Sequence, residues 1–184
     1  MNPIRKTYGT TEVQITSFQS SKGITEYHIF FQQTDSMEDF RTQLQHIQDV
    51  YARSVEELPG NPVAIFRRYF LSDVTNQTDE LMERERLSPY CALSIVQQAP
   101  MNGTKIALWA WLQTGVQTQV LPSGLFEARH GAYGQLLGAN LCNRAANSEY
   151  QTRLIFRDYI LQLTEANCTL ADNCLRTWIF VQNV

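Results

Sequence analysis

The chain has 184 residues, 43% of them hydrophobic and 18% charged, with a formal net charge of −3 and a sequence pI of about 5.6. That length holds one large domain or two small ones, and the composition is that of a globular protein. An acidic chain offers no broad electrostatic grip for nucleic acid, and no stretch approaches the roughly 18 apolar residues of a membrane span, so neither partner is expected.

The opening "MNPIRKTYGT" leads into no apolar run, so no signal peptide and a cytoplasmic location are expected. In residues 11–18, "TEVQITSF", Val13, Ile15 and Phe18 mark a strand, and Tyr27 to Phe31 is rich in aromatic and β-branched residues. The turn cluster "QSSKG" between them predicts a hairpin. Ser36 followed by Asp39 is a helix-capping signature, and Phe40, Leu44, Ile47, Tyr51 and Val55 then recur at helical spacing until "LPGNP" stops them. Val63 to Leu71 reads as a strand, Thr78 to Leu87 as a charged helix, and "CALSIVQQ" and "KIALWAWLQ" as two strands joined by the turn formers "APMNG". In the last of these, Ile106, Leu108, Ala110 and Leu112 alternate with Ala107, Trp109 and Trp111, so both of its faces are expected to be covered, one of them by an interface. The order predicts an α+β mixed sheet with two helices packed on one face.

From residue 115 the pattern restarts. "GVQTQVLPSGLFEARHG" is loop and hairpin material, "AYGQLLGANLC" a strand, and Ser148 with Gln151 a capping box opening a helix to about Ala166. A terminal strand is expected over Leu175 to Val181. Residues 39–44, "DFRTQL", match 149–154, "EYQTRL", and residues 69–74, "YFLSDV", match 179–184, "IFVQNV". Both pairs are offset by 110 residues, from 39 to 149 and from 69 to 179, which indicates a duplicated unit. The expected organisation is a first domain over residues 1–114 and a partial second copy (hairpin, helix, strand) over 115–184. Counterparts of residues 75–112 are missing from that copy, which suggests the N-terminal part of a longer tandem protein.

The segment "YQTRLIFRDYILQLTEANCTLADNCLRTWIFVQNV" resembles the first helix and following strand of the RidA/YjgF family, historically labelled translation initiation inhibitor or endoribonuclease L-PSP. In that family "QTR" opens the helix, "AG-SL-DV" follows it and "FL-DM" ends the strand. Here "YFLSDV" carries the same ending, and "SPYCALSIVQQAPMNGTKIALWAWL" resembles the family's last two strands. "RTW" is similar to the tandem branch that includes the chorismatases. The resemblance implies a RidA/YjgF-like (chorismate-mutase-like) fold, assembly as a trimer or pseudo-oligomer with pockets at subunit contacts, and, in deaminating members, hydrolysis of enamines and imines derived from amino acids. An arginine there binds the substrate carboxylate and a glutamate on the last strand positions water, roles that suit a bidentate guanidinium and a proton-accepting carboxylate.

This sequence departs from that pattern. Counting back from the Pro100 turn, the arginine position falls at or beside Cys91, and the glutamate position falls near Trp109. A thiol cannot grip a carboxylate bidentately and an indole cannot accept a proton, so the first domain reads as degenerate, with no catalytic residue assigned. The leading expectation is a non-catalytic, structural and pocket-shaping region, with chemistry in a C-terminal part. The alternative is a small-carboxylate-binding or imine-hydrolysing enzyme using arginines, with RNA binding or cleavage ranked below both.

Substrate-binding candidates are Arg67, Arg68, Cys91, Trp109 and Arg176. Strand alternation sends Arg67 and Arg68 to opposite faces, so an anion site and a peripheral ion pair are both open for them. Cys91, Cys142, Cys168 and Cys174 lack paired zinc spacing and read as reduced, buried structural thiols. His28, His46 and His130 are scattered, so no metal and no cofactor are expected; His46 is read as exposed and His130 as a loop residue. Gly131, Gly134 and Gly138 are read as relieving crowding in a strand or turn, Trp109, Trp111 and Trp178 as core or interface, and "TDELMERERL" as a solvated helix. Self-association through open sheet edges is expected.

Overall fold

Alternation of buried and exposed side chains sets the architecture. The computed structural model describes residues 3–21, 23–88, 90–139, 141–144 and 147–180. The chain divides into two compact units, Met1–Gln117 and Thr118–Val184.

In the first unit, β1 (Ile4–Tyr8), β2 (Thr11–Gln19) and β3 (Thr25–Gln33) form an antiparallel meander. Helix α1 (Phe40–Glu56) leads to β4 (Val63–Leu71), α2 (Val74–Glu85) leads to β5 (Ala92–Gln97), and β6 (Ile106–Gln113) closes the unit. The strand order is β1-β2-β3-β6-β4-β5. β6 runs antiparallel between β3 and β4, while β5 lies parallel to β4 at the edge. The loop 98–105 therefore does not make a hairpin: it carries the chain past β4.

One face of this sheet holds Val13, Ile15, Tyr27, Ile29, Phe31, Tyr69, Leu71, Ile106, Leu108, Ala110 and Leu112, packed with Leu44, Ile47 and Val50 of α1 and Leu81 of α2. Both helices thus share one core. Removing each such aliphatic group from water contributes about 1.5–3 kcal/mol. Asp39 caps α1 by accepting the Thr42 N–H at 2.8 Å, and Asp73 caps α2 by accepting the Asn76 N–H at 3.2 Å. The second cap starts α2 at Val74, four residues before the Thr78 expected from the charge pattern.

β7 (Gln117–Val120) begins at the boundary residue, and the second unit continues with β8 (Phe126–His130) and β9 (Tyr133–Leu137), the three forming a sheet in that order, then α3 (Ser148–Glu165) and the short α4 (Leu170–Asn173). Its buried hydrophobic residues among those described are Leu125, Phe126, Ala128 and Leu163, and Glu127 is buried beside them. α3 is capped by Asn147, which accepts the Tyr150 N–H at 3.0 Å, rather than by Ser148. His130 lies on β8, not in a loop.

The strand expected over Leu175 to Val181 is not formed among the described residues: 174–180 have no strand conformation, and Val181 lies outside them. The comparison with β4 gives the reason. β4 is held by β5 and β6, both later in the chain, and no strand follows β9 among the described residues. A β-prone segment without a ladder to join stays extended and exposed, as Leu175, Ile179 and Phe180 do here.

Candidate functional site: the two faces of β4

β4 places two consecutive arginines on opposite sides of the sheet, as alternation predicts. On the helix face, Arg67 lies beneath α2. Its Nη2 is 3.1 Å from Glu85 Oε2, and Nη1 donates to Glu85 Oε1 at 3.4 Å. Tyr69 Oη donates to the same Oε1 at 2.8 Å, and Arg67 Nε donates to Cys91 Sγ at 3.1 Å. The Tyr51 ring of α1 lies 5.6 Å from the guanidinium carbon. Arg67 and Glu85 side chains are 3% and 4% exposed, so this is a core ion pair rather than a peripheral one.

The helix carrying Glu85 is not solvated all round: Gln77, Leu81 and Glu85, four residues apart, form its buried stripe. The mixed signs of "TDELMERERL" conceal that stripe, because two of its three residues are polar and only Leu81 marks it in the sequence. Burial and the neighbouring acidic groups act in opposite directions on Arg67, and its pKa rises on balance. Burial raises the Cys91 thiol above its ordinary value despite the opposing guanidinium. Cys91 is therefore not an activated thiolate. Burial likewise pushes the Tyr51 phenol up to about 12.

The opposite face carries no helix of the first unit. Register pairs Trp109 with Phe30 and Arg68, and Trp111 with His28 and Phe66, so these six side chains share it. His28 stacks on both indoles, 5.8 Å from the Trp109 ring and 5.3 Å from the Trp111 ring. Arg68 lies over Phe66 at 5.0 Å and Trp109 at 5.6 Å, and its Nε donates to Ser94 Oγ at 3.2 Å. Burial lowers the pKa of Arg68 and, more than nearby Glu26 can offset, that of His28. Trp111 Nε1 is buried with no acceptor among the described residues. The face is thus an aromatic shelf with its polar hydrogens directed at a few points.

The five sequence candidates fall in three places. Arg67 and Cys91 are joined in the core, Arg68 and Trp109 meet on the opposite face of the sheet, and Arg176 belongs to the second unit, its guanidinium 4.7 Å from the Trp178 ring. Of the four cysteines only Cys91 is buried; Cys142 is exposed and Cys168 and Cys174 are partly so, because they occupy the connections around α3 and α4 rather than a strand face. His46 is half-exposed, 3.3 Å from Glu38 and 3.1 Å from Thr10 Oγ1. No group of three His, Cys, Asp or Glu side chains suited to a metal occurs among the described residues. No helix among them is long and apolar enough to cross a membrane.

Compared with known proteins, the chain matches no family model, no curated protein and no solved structure. What the fold and site define is a mixed α+β module with an occupied polar core cluster on one side of its sheet and an aromatic shelf on the other.

Proposed function

We propose that the first unit is a RidA/YjgF-like module that performs no deamination itself and acts as a structural, pocket-shaping element of a tandem protein. The mixed sheet with both helices on one face supports the fold reading. The observation that carries the functional reading is the condition of Cys91. This position, to which the resemblance assigns carboxylate recognition, is a buried thiol already accepting an N–H from Arg67, whose guanidinium is engaged by Glu85. Trp109, at the glutamate position, stacks with His28, meets the Phe66 ring at a tilt and offers no proton acceptor. Enamine or imine deamination, or a chorismatase-like hydrolysis, then belongs to another part of the assembly. The edge strands β1 and β5 suit self-assembly, or pairing with a second RidA-like unit. Four cysteines, none in a disulfide, are consistent with a reducing, cytoplasmic setting.

The test is direct. Purified protein is incubated with 2-aminoacrylate generated in place, and separately with chorismate. The expected outcome is no loss of either above the buffer rate; turnover at about 1 s⁻¹ or faster, the lower end of ordinary enzymic rates, overturns the reading.

A second reading is favoured by Arg68: its guanidinium, set between Phe66, Trp109 and Ser94, has the placement of a small-carboxylate anchor. Calorimetry with short aromatic and aliphatic carboxylates, repeated on Arg68→Met, decides it. Arg67 is not a candidate for that role, because Glu85 already holds it.

A further inference from the structure

We propose that the second unit binds a small aliphatic ammonium ligand in a cavity between the β7–β9 sheet and the end of α3. The cavity measures about 390 Å³, within the range of small-molecule sites. One wall is apolar, formed by Leu121, Pro122, Leu136 and Ala166, and the polar groups opposite are mostly acceptors.

Glu127 is the centre of these. Its side chain is 6% exposed, yet the carboxylate is fixed on both oxygens. Arg129 Nη2 and Nε donate to Oε1 at 2.6 and 3.2 Å, and Gln119 Nε2 donates to Oε2 at 2.5 Å. These hydrogen bonds hold its carboxyl below the ordinary value, so it is charged at neutral pH. Three donors leave capacity on a group that accepts about four hydrogen bonds. Across the hairpin, Gly134 lies opposite Arg129, and a Cβ there would stand 2.9 Å from Glu127 Oε1. A methyl group there would crowd that oxygen and push the Glu127 side chain aside, so glycine leaves the carboxylate where it is.

Glu165 adds a second carboxylate to the lining at the C-terminal end of α3, the negative end of the helix dipole, where the Leu163 and Thr164 carbonyls are already taken by the N–H groups of Ala166, Asn167 and Cys168. Arg129 is the one cationic side chain in the lining, and it is committed to Glu127. A site with two carboxylates, a helix C-terminus and an apolar wall selects an ammonium head on a short alkyl chain over an alcohol or a carboxylate of equal length.

The experiment titrates the whole protein with n-butylammonium, n-butanol and n-butyrate, followed by two-dimensional amide NMR. Saturable shifts confined to Ser123, Gly134, Leu136 and Ala166 are expected for the ammonium alone, weakening as salt is raised. Glu165→Gln, an exposed change, should weaken binding about fivefold, the order expected for losing one solvent-exposed charge contact. Gly134→Ala should weaken it further by displacing the Glu127 carboxylate, and an unchanged amide spectrum elsewhere shows that each variant is folded. Absence of saturation, equal binding of butanol or butyrate, or unaltered affinity in both variants overturns the proposal. Because the aromatic shelf and Cys91 take no part, this outcome is independent of the function proposed for the first unit.

Discussion

The buried Arg67–Glu85 pair makes the sharpest demand on the first unit. Replacing Glu85 by leucine removes the carboxylate that faces two guanidinium nitrogens at 3.1 and 3.4 Å and accepts from Tyr69 Oη at 2.8 Å. Arg67 then keeps its charge at 3% side-chain exposure, with the Cys91 thiol and the Tyr51 ring poor substitutes for an anion. Stranding one partner of such a pair costs about 3–5 kcal/mol. With a urea m-value of about 2 kcal/mol/M, the unfolding midpoint should fall by about 1.5–2.5 M. Fluorescence reads it cleanly in a Trp178→Phe background, because Trp109 and Trp111 both lie in the first unit. Removing both charges, as Arg67→Met with Glu85→Leu, should recover most of the loss, since two desolvation penalties disappear together. If Glu85→Leu alone costs less than about 1 kcal/mol, the value of an exposed pair, the burial argument fails. If the double variant is as unstable as the sum of the singles, the two residues do not act on each other.

Glu57 accepts from Lys6 Nζ and Tyr8 Oη, both at 2.7 Å, and its carboxyl is lowered to about 2, first of all by Lys6. An acid depressed in this way contributes stability above its unfolded pKa of about 4.3 that is lost as pH falls through the folded value, and Lys6→Met should raise the NMR titration midpoint of Glu57. His28 is lowered by burial and supported only in part by Glu26, so its stabilising contribution is full above pH of about 6.5 and declines as pH falls toward its folded pKa. Its ring-proton titration should therefore have a midpoint below that of a free histidine, and Glu26→Gln should lower it further. A thiol reagent applied to native protein should modify Cys142, Cys168 and Cys174 while sparing Cys91; mass mapping of rapid labelling at Cys91 would refute its burial. Cys91→Arg, which places an arginine where the resemblance has one, should destabilise the first unit rather than create carboxylate binding, because a second buried cation would be introduced beside Arg67, with Glu85 as their shared carboxylate. Unchanged unfolding together with measurable binding of a small carboxylate would reverse that conclusion.

Local patterns in the sequence were sufficient where a residue's neighbours along the chain decide its state. Val63–Leu71 could be read directly, and Phe40 with its helical repeats located α1, because a half-buried strand and an amphipathic helix each impose their own period. β1 went unread: "IRKTY" has charged and polar residues at most positions, and only its ladder to β2 makes it a strand. The position of β6 between β3 and β4 is likewise a long-range fact, invisible in the short loop that joins it to β5. The split of Arg67 from Arg68 followed from alternation alone. Glu85 did not, since a buried acid in a charged helix is recognisable only once its partner across the sheet is known. The same limit misled the reading of residues 174–180, whose composition suits a strand but whose ladder partners are missing among the described residues.

The polar cluster under α2 raises a question of purpose that its energetics sharpen. An ion pair desolvated this fully is weak evidence for stability, because well-packed apolar residues of similar size do as well or better. What a fixed fork of hydrogen bonds supplies instead is position. Arg67 on β4 ties Glu85 at the end of α2 to Cys91 at the entry of β5, so one side chain registers a helix terminus against two parallel strands. An apolar contact could slide by a turn of the helix; this one cannot without leaving a charge unmet. On that reasoning the charge-free double variant should keep its unfolding midpoint yet lose amide dispersion along Val74–Glu85 and Ala92–Gln97. Retention of a single sharp set of resonances there would mean that packing of Leu81 alone is enough to fix the helix.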